Sequence, residues 1–473
     1  MRTYYWIPSL ITLLTFLALL LPAGLAHADV SSGTVITVNS AVDDELNGTC
    51  SLREAIQAAN TDSAVDACPA GDGADTILLG AEIYQLSIKG TGEEYAQTGD
   101  LDIREDLVIR GQGMNSTVVD GGGIDRVFHI YWTDPHPVVH FEHLTIQNGN
   151  VTKDLYGGGG ILNEYGTITF QAVSLENNHS IYDGVGSAVG GGMDNLGTAT
   201  LINSYVSNNG ADDGGGIFNS GTLSIYRSTL NNNTATLDEG GALDNYGGTV
   251  TLEDVTISGN IALLGSGGGI FSDGTFFISN TTISGNTASI NGGALYNASD
   301  ATLQNVTISG NSAASGGGIY NTGHLDITNS TIVENSAISA EPPNGANIDN
   351  EDTVTIENTI IALGQIAPNC AGLAGLTSLG HNLEDANTCN LDHADDHPGV
   401  GDPSIDVLAN RGGPTWTHAL NSSSPAIDTG NDDTCPSTDQ RGANRAGEYC
   451  DIGAYEYAGE FSIENVFLPL ITR

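Results

Sequence analysis

A short block of glycines followed by an apolar residue recurs along the middle of the chain, and its spacing indicates the architecture. Residues 214–219 read Gly-Gly-Gly-Ile-Phe-Asn, and residues 316–321 read Gly-Gly-Gly-Ile-Tyr-Asn. A self-similar period of about 20–50 residues predicts a solenoid in which each repeat forms one coil. The apolar residue after the glycines recurs every 24 to 32 residues, at Ile161, Met193, Ile217, Leu243, Ile270, Leu295, Ile319 and, more loosely, Ile348.

Two further apolar runs follow the glycine block within each repeat. Residues 221–225 read Gly-Thr-Leu-Ser-Ile, and the motif Thr-Ile-Ser-Gly-Asn occurs at 256–260, 282–286 and 307–311. Runs of this composition and period two, bounded by Gly and Asn, predict strands of about five residues. Three such strands per coil predict an all-β fold, a right-handed parallel β-helix of roughly ten coils. Helical repeats are disfavoured because Gly or Asn interrupts every window with helical spacing.

Asparagine recurs at the end of the third run of each repeat. Coils of a β-helix stack about 4.8 Å apart, so equivalent side chains form a continuous row along the axis. Asparagine can bond to the coils above and below, and it tolerates the left-handed backbone of a tight corner. We therefore interpret this row as structural: Asn178, Asn209, Asn233, Asn260, Asn286, Asn311 and Asn335.

The two ends of the chain depart from the repeat. Residues 1–28 have the pattern of a secretory signal peptide, with Arg2, an apolar run and an Ala-His-Ala cleavage site before Asp29. Ser51 and Glu54 form a capping box that opens the one convincing helix, which we expect to cap the first coil. The expected segments are a signal peptide (1–28), an N-terminal cap (29–75), β-helix repeats (76–360), an irregular disulfide-bearing C-terminal module (361–457) and a tail (458–473).

Composition limits the partners and the compartment. The formal net charge of −45, from 12 basic and 57 acidic residues, disfavours nucleic acid and anionic membranes as partners. After the signal peptide, no apolar run reaches the about 20 residues of a transmembrane helix. Six cysteines in a chain with a signal peptide indicate three disulfides. Other connectivities are open, but local pairing would staple the irregular ends: Cys50 with Cys68, Cys370 with Cys389, and Cys435 with Cys450.

Two motifs resemble families of secreted bacterial β-helix proteins. Residues 50–56, Cys-Ser-Leu-Arg-Glu-Ala-Ile, match the motif of the CSLREA-type domain, and residues 99–103 and 118–121 resemble its first coils. The recurring glycine blocks resemble the repeats of polymorphic outer membrane proteins. The resemblance implies a β-helix exported to the cell surface or beyond, and it brings no established activity.

The C-terminal region resembles the choice-of-anchor Q module of secreted or surface-held proteins. The matching residues are 424–430 (Ser-Pro-Ala-Ile-Asp-Thr-Gly), 439–442 (Asp-Gln-Arg-Gly) and 451–456 (Asp-Ile-Gly-Ala-Tyr-Glu). Arginine with several carboxylates is a common structural device, so we interpret the charged residues as a buried ion-pair network. A site for a ligand carboxylate or a glycan is the alternative for this set: Asp428, Asp439, Arg441, Arg445 and Asp451.

Four carboxylates form the one suggestive cluster within the repeats. Asp212 and Asp213 precede the apolar residue of their repeat by the same offsets as Asp238 and Glu239. The two pairs should therefore stack on adjacent coils. Carboxylates this close raise one another's pKa, bind a cation or splay into water. A solvated turn, a calcium site and an acid-base pair for glycoside hydrolysis all remain open.

A second acidic stretch runs from residue 385 to residue 402 and contains two histidines four residues apart. Gly, Pro and Asp surround them, so a helix is not expected and a solvated loop is the default interpretation. A loose divalent-cation site is the alternative for Asp392, His393, Asp395, Asp396 and His397.

The sequence favours a non-catalytic role. Lyases acting on uronic acid polymers need basic side chains, and Arg227 is the single Lys or Arg between Asp154 and Asn410. We expect a secreted or surface-associated adhesive, cell-envelope or matrix protein, with extracellular glycans as candidate ligands and no cofactor except calcium at the candidate site. The alternative is a hydrolase of neutral polysaccharides that uses the four carboxylates. Aromatic residues could stack on sugars if they face outward: Phe218, Phe271, Tyr296 and Tyr320.

Overall fold

The chain forms a parallel β-solenoid. The computed structural model describes residues 33–44, 47–152, 156–181, 188–339, 344–445 and 449–461. Over these residues, four rows of short strands stack along one axis, with one α-helix near the start. The predicted all-β fold of stacked parallel strands is confirmed. The predicted signal peptide, residues 1–28, and residues 462–473 of the predicted tail lie outside the described residues.

The first row contains the strands that follow the glycine blocks. Each strand pairs in parallel and in register with its equivalent one coil away, as Ile217 does with Leu243. Side chains alternate in direction along a strand, so the first and third residues enter the core and the second faces outward. The eleven strands are Leu101–Ile103, Phe128–Ile130, Ile161–Asn163, Met193–Asn195, Ile217–Asn219, Leu243–Asn245, Ile270–Ser272, Leu295–Asn297, Ile319–Asn321, Ile348–Asn350 and Cys370–Ala371.

The second and third rows belong to one sheet of 24 strands. In the second-row strand Thr222–Tyr226, Leu223 and Ile225 are buried in the core while the residues between them face outward. Strands Val138–Gln147 and Thr167–Glu176 are long enough to run through both rows. The other 22 strands are Val35–Thr37, Asp75–Leu78, Ile83–Gln85, Leu107–Arg110, Val118–Asp120, Thr198–Ile202, Tyr205–Ser207, Thr222–Tyr226, Thr229–Asn231, Thr249–Glu253, Thr256–Ser258, Thr275–Ser279, Thr282–Ser284, Asp300–Gln304, Thr307–Ser309, His324–Thr328, Thr331–Val333, Thr353–Glu357, Ile360–Ala362, Leu376–Gly380, Leu383–Glu384 and His397–Pro398.

A fourth row of very short strands was missed by the sequence analysis, which expected three strands per coil. Thr234–Ala235 is typical: it follows the corner at Asn233, and Ala235 is buried. A two-residue segment is too short for hydrophobic periodicity to reveal. The eight strands are Asn150–Thr152, His179–Ile181, Gly210–Ala211, Thr234–Ala235, Ile261–Ala262, Thr287–Ala288, Ser312–Ala313 and Ser336–Ala337.

The predicted row of asparagines is confirmed as a hydrogen-bonded ladder at the corner after the third row. Asn233 shows the pattern, since its Nδ2 donates to Val206 O at 2.9 Å and to Asn260 Oδ1 at 3.0 Å. Its Oδ1 accepts from both the backbone N and the Nδ2 of Asn209, each at 3.0 Å. All seven predicted members are buried. We call this set the asparagine ladder.

The left-handed backbone at this corner lies one residue before the asparagine ladder. Asn208 and Asn232 both have a φ of 56°, so the expectation that the ladder asparagines themselves adopt this conformation is wrong. The ladder residue supplies the hydrogen bonds, and the residue before it turns the chain. Glycine, which enters this region without strain, takes the turning position in three later coils: Gly259, Gly285 and Gly310.

The predicted N-terminal helix is confirmed as Leu52–Thr61. Ser51 Oγ accepts from the backbone N of Glu54, and the Glu54 carboxylate accepts from the backbone N of Ser51, which completes the capping box. The apolar side of the helix, including Ile56, is buried in the solenoid core. Arg53 is also buried and donates to Asp43 Oδ1 at 2.7 Å, which ties the helix to the first coil.

Stacked strands lie on both sides of the range 76–360. Val35–Thr37 pairs in parallel with Asp75–Leu78 before the regular repeats. After them, Leu376–Gly380 and Leu383–Glu384 continue the second and third rows. The three disulfides join the pairs expected from local pairing: Cys50 with Cys68, Cys370 with Cys389, and Cys435 with Cys450.

The last part of the C-terminal module folds back along the outside of the third row instead of only closing the end of the solenoid. Gln440 Nε2 donates to Thr282 Oγ1 at 2.9 Å, and the backbone N of Ala454 donates to Thr331 Oγ1 at 3.0 Å. Both threonines are buried, whereas Thr256 at the same register in an earlier coil is half-exposed. The module therefore covers the third row over the later coils.

Buried ion pairs hold the module together, as predicted, with one change of partner. Arg441 pairs with Asp439 at 2.6 Å, and both side chains are buried. Arg445 pairs with Glu456 at 3.3 Å, a carboxylate that the predicted set omitted. Asp451 instead accepts backbone N–H groups, one of them from Asp428 at 2.8 Å. These backbone donors satisfy the hydrogen-bonding capacity of the Asp451 carboxylate, so it needs no ion pair with an arginine.

Candidate functional site

The second residue of each first-row strand faces away from the core, and these residues form one continuous stack along the solenoid. Their neighbours on either side, such as Ile217 and Asn219, are fully buried, while Phe218 and Tyr296 are half-exposed. We call this set the outer stack. In coil order it consists of Asp102, His129, Leu162, Asp194, Phe218, Asp244, Phe271, Tyr296, Tyr320, Asp349 and Ala371.

The glycine blocks place this stack. Gly240 has a φ of +68°, which glycine adopts without strain, and a Cβ on Gly241 would lie 2.2 Å from the carbonyl oxygen of Gly268 in the next coil. The backbones of successive coils therefore approach one another closely just before each first-row strand. As a result, the side chains that follow are stacked at the inter-strand distance of about 4.8 Å.

Aromatic rings occupy the middle of the outer stack, on the side of the strands away from the core. Phe218 and Tyr296 are half-exposed, whereas Phe271 and Tyr320 are buried among their neighbours. Phe271 and Tyr296 have ring centroids 4.9 Å apart, and Tyr296 and Tyr320 are 5.2 Å apart, with the rings stacked in both pairs. The Tyr320 hydroxyl donates to Glu351. Because the ring faces cover one another, the apolar surface left to solvent consists mainly of ring edges, and Tyr296 provides the larger share.

The four predicted carboxylates do lie on adjacent coils. Glu239 donates its backbone N–H to Asp213 Oδ1 at 3.1 Å, and Asp212 Oδ1 accepts from Thr236 Oγ1 at 2.8 Å. Asp238 is exposed, whereas the other three are half-buried. Burial and then the neighbouring carboxylates raise the pKa of Asp213 to about 6 and that of Glu239 to about 7.

Two further aspartates in the outer stack join this acidic region, and the sequence analysis did not single them out. Asp194 and Asp244 flank Phe218 in adjacent coils and are almost fully buried, with one oxygen of each lacking a hydrogen-bond partner. Burial raises the pKa of Asp194 to about 7. Burial, followed by the charges of Asp213 and Glu239, raises the pKa of Asp244 well above its ordinary value. The available signal was their place directly after the recurring apolar residue, where other repeats have an aromatic residue.

Lys and Arg are almost absent from the coils between residues 154 and 410. Arg227 is the single Lys or Arg between residues 154 and 410, and its Nε donates to Asn203 Oδ1 at 3.3 Å. Both residues lie at the turn between the second and third rows. The outer stack over these coils is therefore acidic and aromatic, without a positive charge from Lys or Arg.

The second predicted acidic stretch is a surface loop. His393 Nδ1 lies 3.6 Å from Asp395 Oδ2, and His381 Nε2 lies 3.9 Å from the same oxygen. Asp396 accepts from the Ser378 hydroxyl and from the backbone N of Asn382 instead. The structure thus pairs Asp395 with His381, which the sequence analysis did not include. His397 is in a short strand that continues the third row.

Two segments of the repeats are similar to a known family model. The repeat of the Chlamydia polymorphic membrane protein family matches residues 280–298 and 305–322. The resemblance of the glycine blocks to that repeat is confirmed for these two segments. No curated protein sequence matches this chain significantly.

Two solved structures illustrate the similarity of fold. Pectate lyase Pel9A is 14% identical, with a TM-score of 0.43, over 89% of this chain and 96% of that one. The A-module of the Azotobacter vinelandii mannuronan C-5 epimerase AlgE4 is 19% identical, with a TM-score of 0.37, over 72% of this chain and 91% of the other. Such values give no basis for assigning an activity. Within the described residues, no helix is long and apolar enough to cross a membrane.

Proposed function

We propose that this chain is an extracellular, surface-associated β-helix protein that binds a neutral glycan along the outer stack without cleaving it. The observation that carries the proposal is the part of the outer stack from Asp194 to Asp349, in which aromatic residues and carboxyl groups follow one another at the coil spacing and Phe218 and Tyr296 reach solvent. Ring edges such as those of Phe218 and Tyr296 offer apolar contact to the C–H groups of sugars. The half-buried carboxyl groups of Asp213 and Glu239 can accept hydrogen bonds from sugar hydroxyls and, when protonated, donate to them.

Charge supports a neutral ligand. An anionic polymer such as a polyuronate would approach a surface that carries Asp213, Asp238 and Glu239 and no Lys or Arg, so electrostatic repulsion opposes its binding. A neutral polysaccharide meets no such barrier. This argument also stands against uronate lyase activity, because no basic side chain faces the outer stack in these coils.

The extracellular location rests on covalent and sequence features. Three disulfides are typical of proteins from oxidising compartments. The resemblance of the two ends to the CSLREA-type domain and to the choice-of-anchor Q module supports export and retention at the cell surface. In this proposal, the C-terminal module covers the third row and leaves the first row free for ligand.

The test is binding of the full chain to an array that contains neutral polysaccharides (glucans, mannans, xylans and chitin oligomers) and uronate polymers. We expect binding to at least one neutral class and to no uronate polymer. Tyr296→Ala should weaken that binding, because it removes the most exposed ring of the stacked trio. Tyr205→Ala is the matched control, since Tyr205 is an exposed tyrosine of the third row. Absence of glycan binding, or equal loss in both variants, would refute the proposal.

A second candidate function, glycoside hydrolysis, is favoured by one specific observation. Asp194 and Asp244 lie two coils apart on the outer stack, roughly 9.6 Å between backbones, and burial raises the pKa of both carboxyl groups. Inverting glycosidases use one protonated and one ionised carboxyl group about 6.5–9.5 Å apart. Asp213 and Glu239 beside them could assist in the same way.

Reducing-sugar release from the same neutral polysaccharides separates the two candidates. The binding proposal predicts no release by the wild-type chain. Hydrolysis that is lost in Asp194→Asn and Asp244→Asn, but kept in Asp300→Asn on the exposed second row, would establish the second candidate instead. Such a result would remove the non-catalytic assignment.

A further inference from the structure

A separate group of ligating side chains lies at the N-terminal end of the outer stack. Asp102 and His129 are paired on adjacent coils, and Glu94 approaches them from the preceding loop. His129 Nδ1 lies 3.2 Å from Asp102 Oδ1 and 3.7 Å from Glu94 Oε2. One atom from each residue lies within 4.8 Å of the others, and no other trio of His, Cys, Asp or Glu in the described ranges meets this condition.

These separations suit a metal ion. Zn–N and Zn–O bonds of about 2.0–2.2 Å place two tetrahedral ligands about 3.4 Å apart, between the two separations observed. Glu94 Oε2 and Asp102 Oδ1 are both shielded from solvent, and neither accepts a hydrogen bond of good geometry, because His129 Nδ1 is the polar atom that faces them. The side chain of Asp102 is completely buried. Buried carboxylate oxygens that lack partners are costly, so they point to a missing cation.

The surrounding groups hold these ligands in the required orientation. The backbone N of Ala96 donates to Asp102 Oδ2 at 2.8 Å, which leaves Oδ1 for a metal. On the far side of the imidazole, His129 Nε2 faces Glu164 Oε2 at 3.5 Å. The backbone N of Trp132 donates to that same oxygen at 3.2 Å and fixes it. A carboxylate behind a histidine in this way is typical of metal sites.

We propose that Glu94, Asp102 and His129 bind a divalent transition metal ion such as Zn²⁺, with Glu164 positioning the imidazole and one coordination position open to water or ligand. Imidazole with carboxylates suits zinc, whereas calcium prefers an all-oxygen shell. The nearby cation Arg126 pairs with Asp100 at 3.1 Å. The site lies in the first coils, away from Asp213 and Glu239. It is therefore independent of glycan binding at the coils that carry the aromatic residues of the outer stack.

A metal-free arrangement of the same residues is the competing explanation. Burial lowers the pKa of His129, but the adjacent carboxylates of Asp102 and Glu164 outweigh burial and raise it to about 9. An imidazolium ion between carboxylates would then neutralise the group by itself. The two explanations differ in whether added metal binds stoichiometrically, because a metal must displace the proton on the coordinating nitrogen.

The test is isothermal titration of the full chain, freed of metal with EDTA, with ZnCl₂ and, separately, with CaCl₂. We expect one Zn²⁺ per chain, loss of that binding in His129→Gln and in Glu94→Gln, and a weakening of about 10–100-fold in Glu164→Gln. Glu94 is 38% exposed, so its variant should fold even if the His129 variant does not. His324→Gln is the matched control, because His324 forms an exposed pair with Asp326 at 3.8 Å.

Each result decides the question. Stoichiometric binding that is lost in the two ligand variants and kept in His324→Gln supports the site. No binding to the wild-type chain, or equal affinity in wild type and Glu94→Gln, would overturn it and assign the group to the metal-free ion cluster. Preference for CaCl₂ over ZnCl₂ would overturn the assignment to a transition metal.

Discussion

The asparagine ladder makes the sharpest prediction about stability, at Asn233→Leu. Leucine has a similar volume but cannot form the four side-chain hydrogen bonds of Asn233, which all lie inside the corner. The backbone N of Asn209 would lose its acceptor, Asn233 Oδ1, at a cost of about 1–3 kcal/mol for a buried donor. The other three bonds contribute about 0.5–1.5 kcal/mol each. Burial of the leucine side chain offsets about 2 kcal/mol of this loss in the free energy of unfolding.

The expected net loss in free energy of unfolding is therefore about 3 kcal/mol. Asn231→Leu is the matched control, because Asn231 lies two residues earlier and is half-exposed on the outside of the same coil. Urea denaturation of both variants measures the difference. Hydrogen exchange should show the loss concentrated in the coils that contain Asn209, Asn233 and Asn260. Equal stabilities of the two variants would refute the assignment of the ladder as a main structural element.

Three further predictions concern charge and capping. The pKa of Glu239 is raised to about 7, so the folded chain holds this proton more tightly than the unfolded chain does. The melting temperature should therefore fall as the pH rises from 5 to 8. Glu239→Gln should reduce this fall more than Glu82→Gln, which is the control because Glu82 is exposed. Arg445→Met should destabilise the C-terminal module by about 3–5 kcal/mol, because it leaves Glu456 buried without its ion-pair partner. Limited proteolysis would detect release of the module, and a module that stays resistant would contradict the prediction. Ser51→Ala should lower the free energy of unfolding by about 1 kcal/mol, because it removes the helix cap. Thermal unfolding measures this difference, and an unchanged stability would show that the capping box is dispensable.

Periodic and local features could be predicted from the sequence. The spacing of the apolar residues predicted the stacking of strands, and the recurrence of asparagine predicted a buried ladder. Ser51 and Glu54 predicted the start of the helix because a capping box is a contact between residues three apart. Pairing of nearby cysteines was likewise a local inference. In each case the repeat or the short separation carries the information.

Contacts that depend on how distant segments pack could not be predicted in this way. The return of the C-terminal module brings Gln440 to Thr282, which no period or motif relates. Glu94 reaches His129 from an irregular loop, so the candidate metal ligands do not share a spacing. The sequence shows Asp244 as an exception to the aromatic pattern, but its raised pKa follows from burial and from the nearby carboxylates of Asp213 and Glu239, which depend on the packing of the coils.

The central claim is that ligand binds along the outer stack, and hydrogen exchange with bound glycan tests it most directly. The full chain would be compared with and without the neutral polysaccharide that binds most strongly on the array. The account predicts slower exchange in the first-row strands Ile217–Asn219, Leu243–Asn245 and Leu295–Asn297, with no change in the third row. Protection confined to the third row or to the C-terminal module would contradict it.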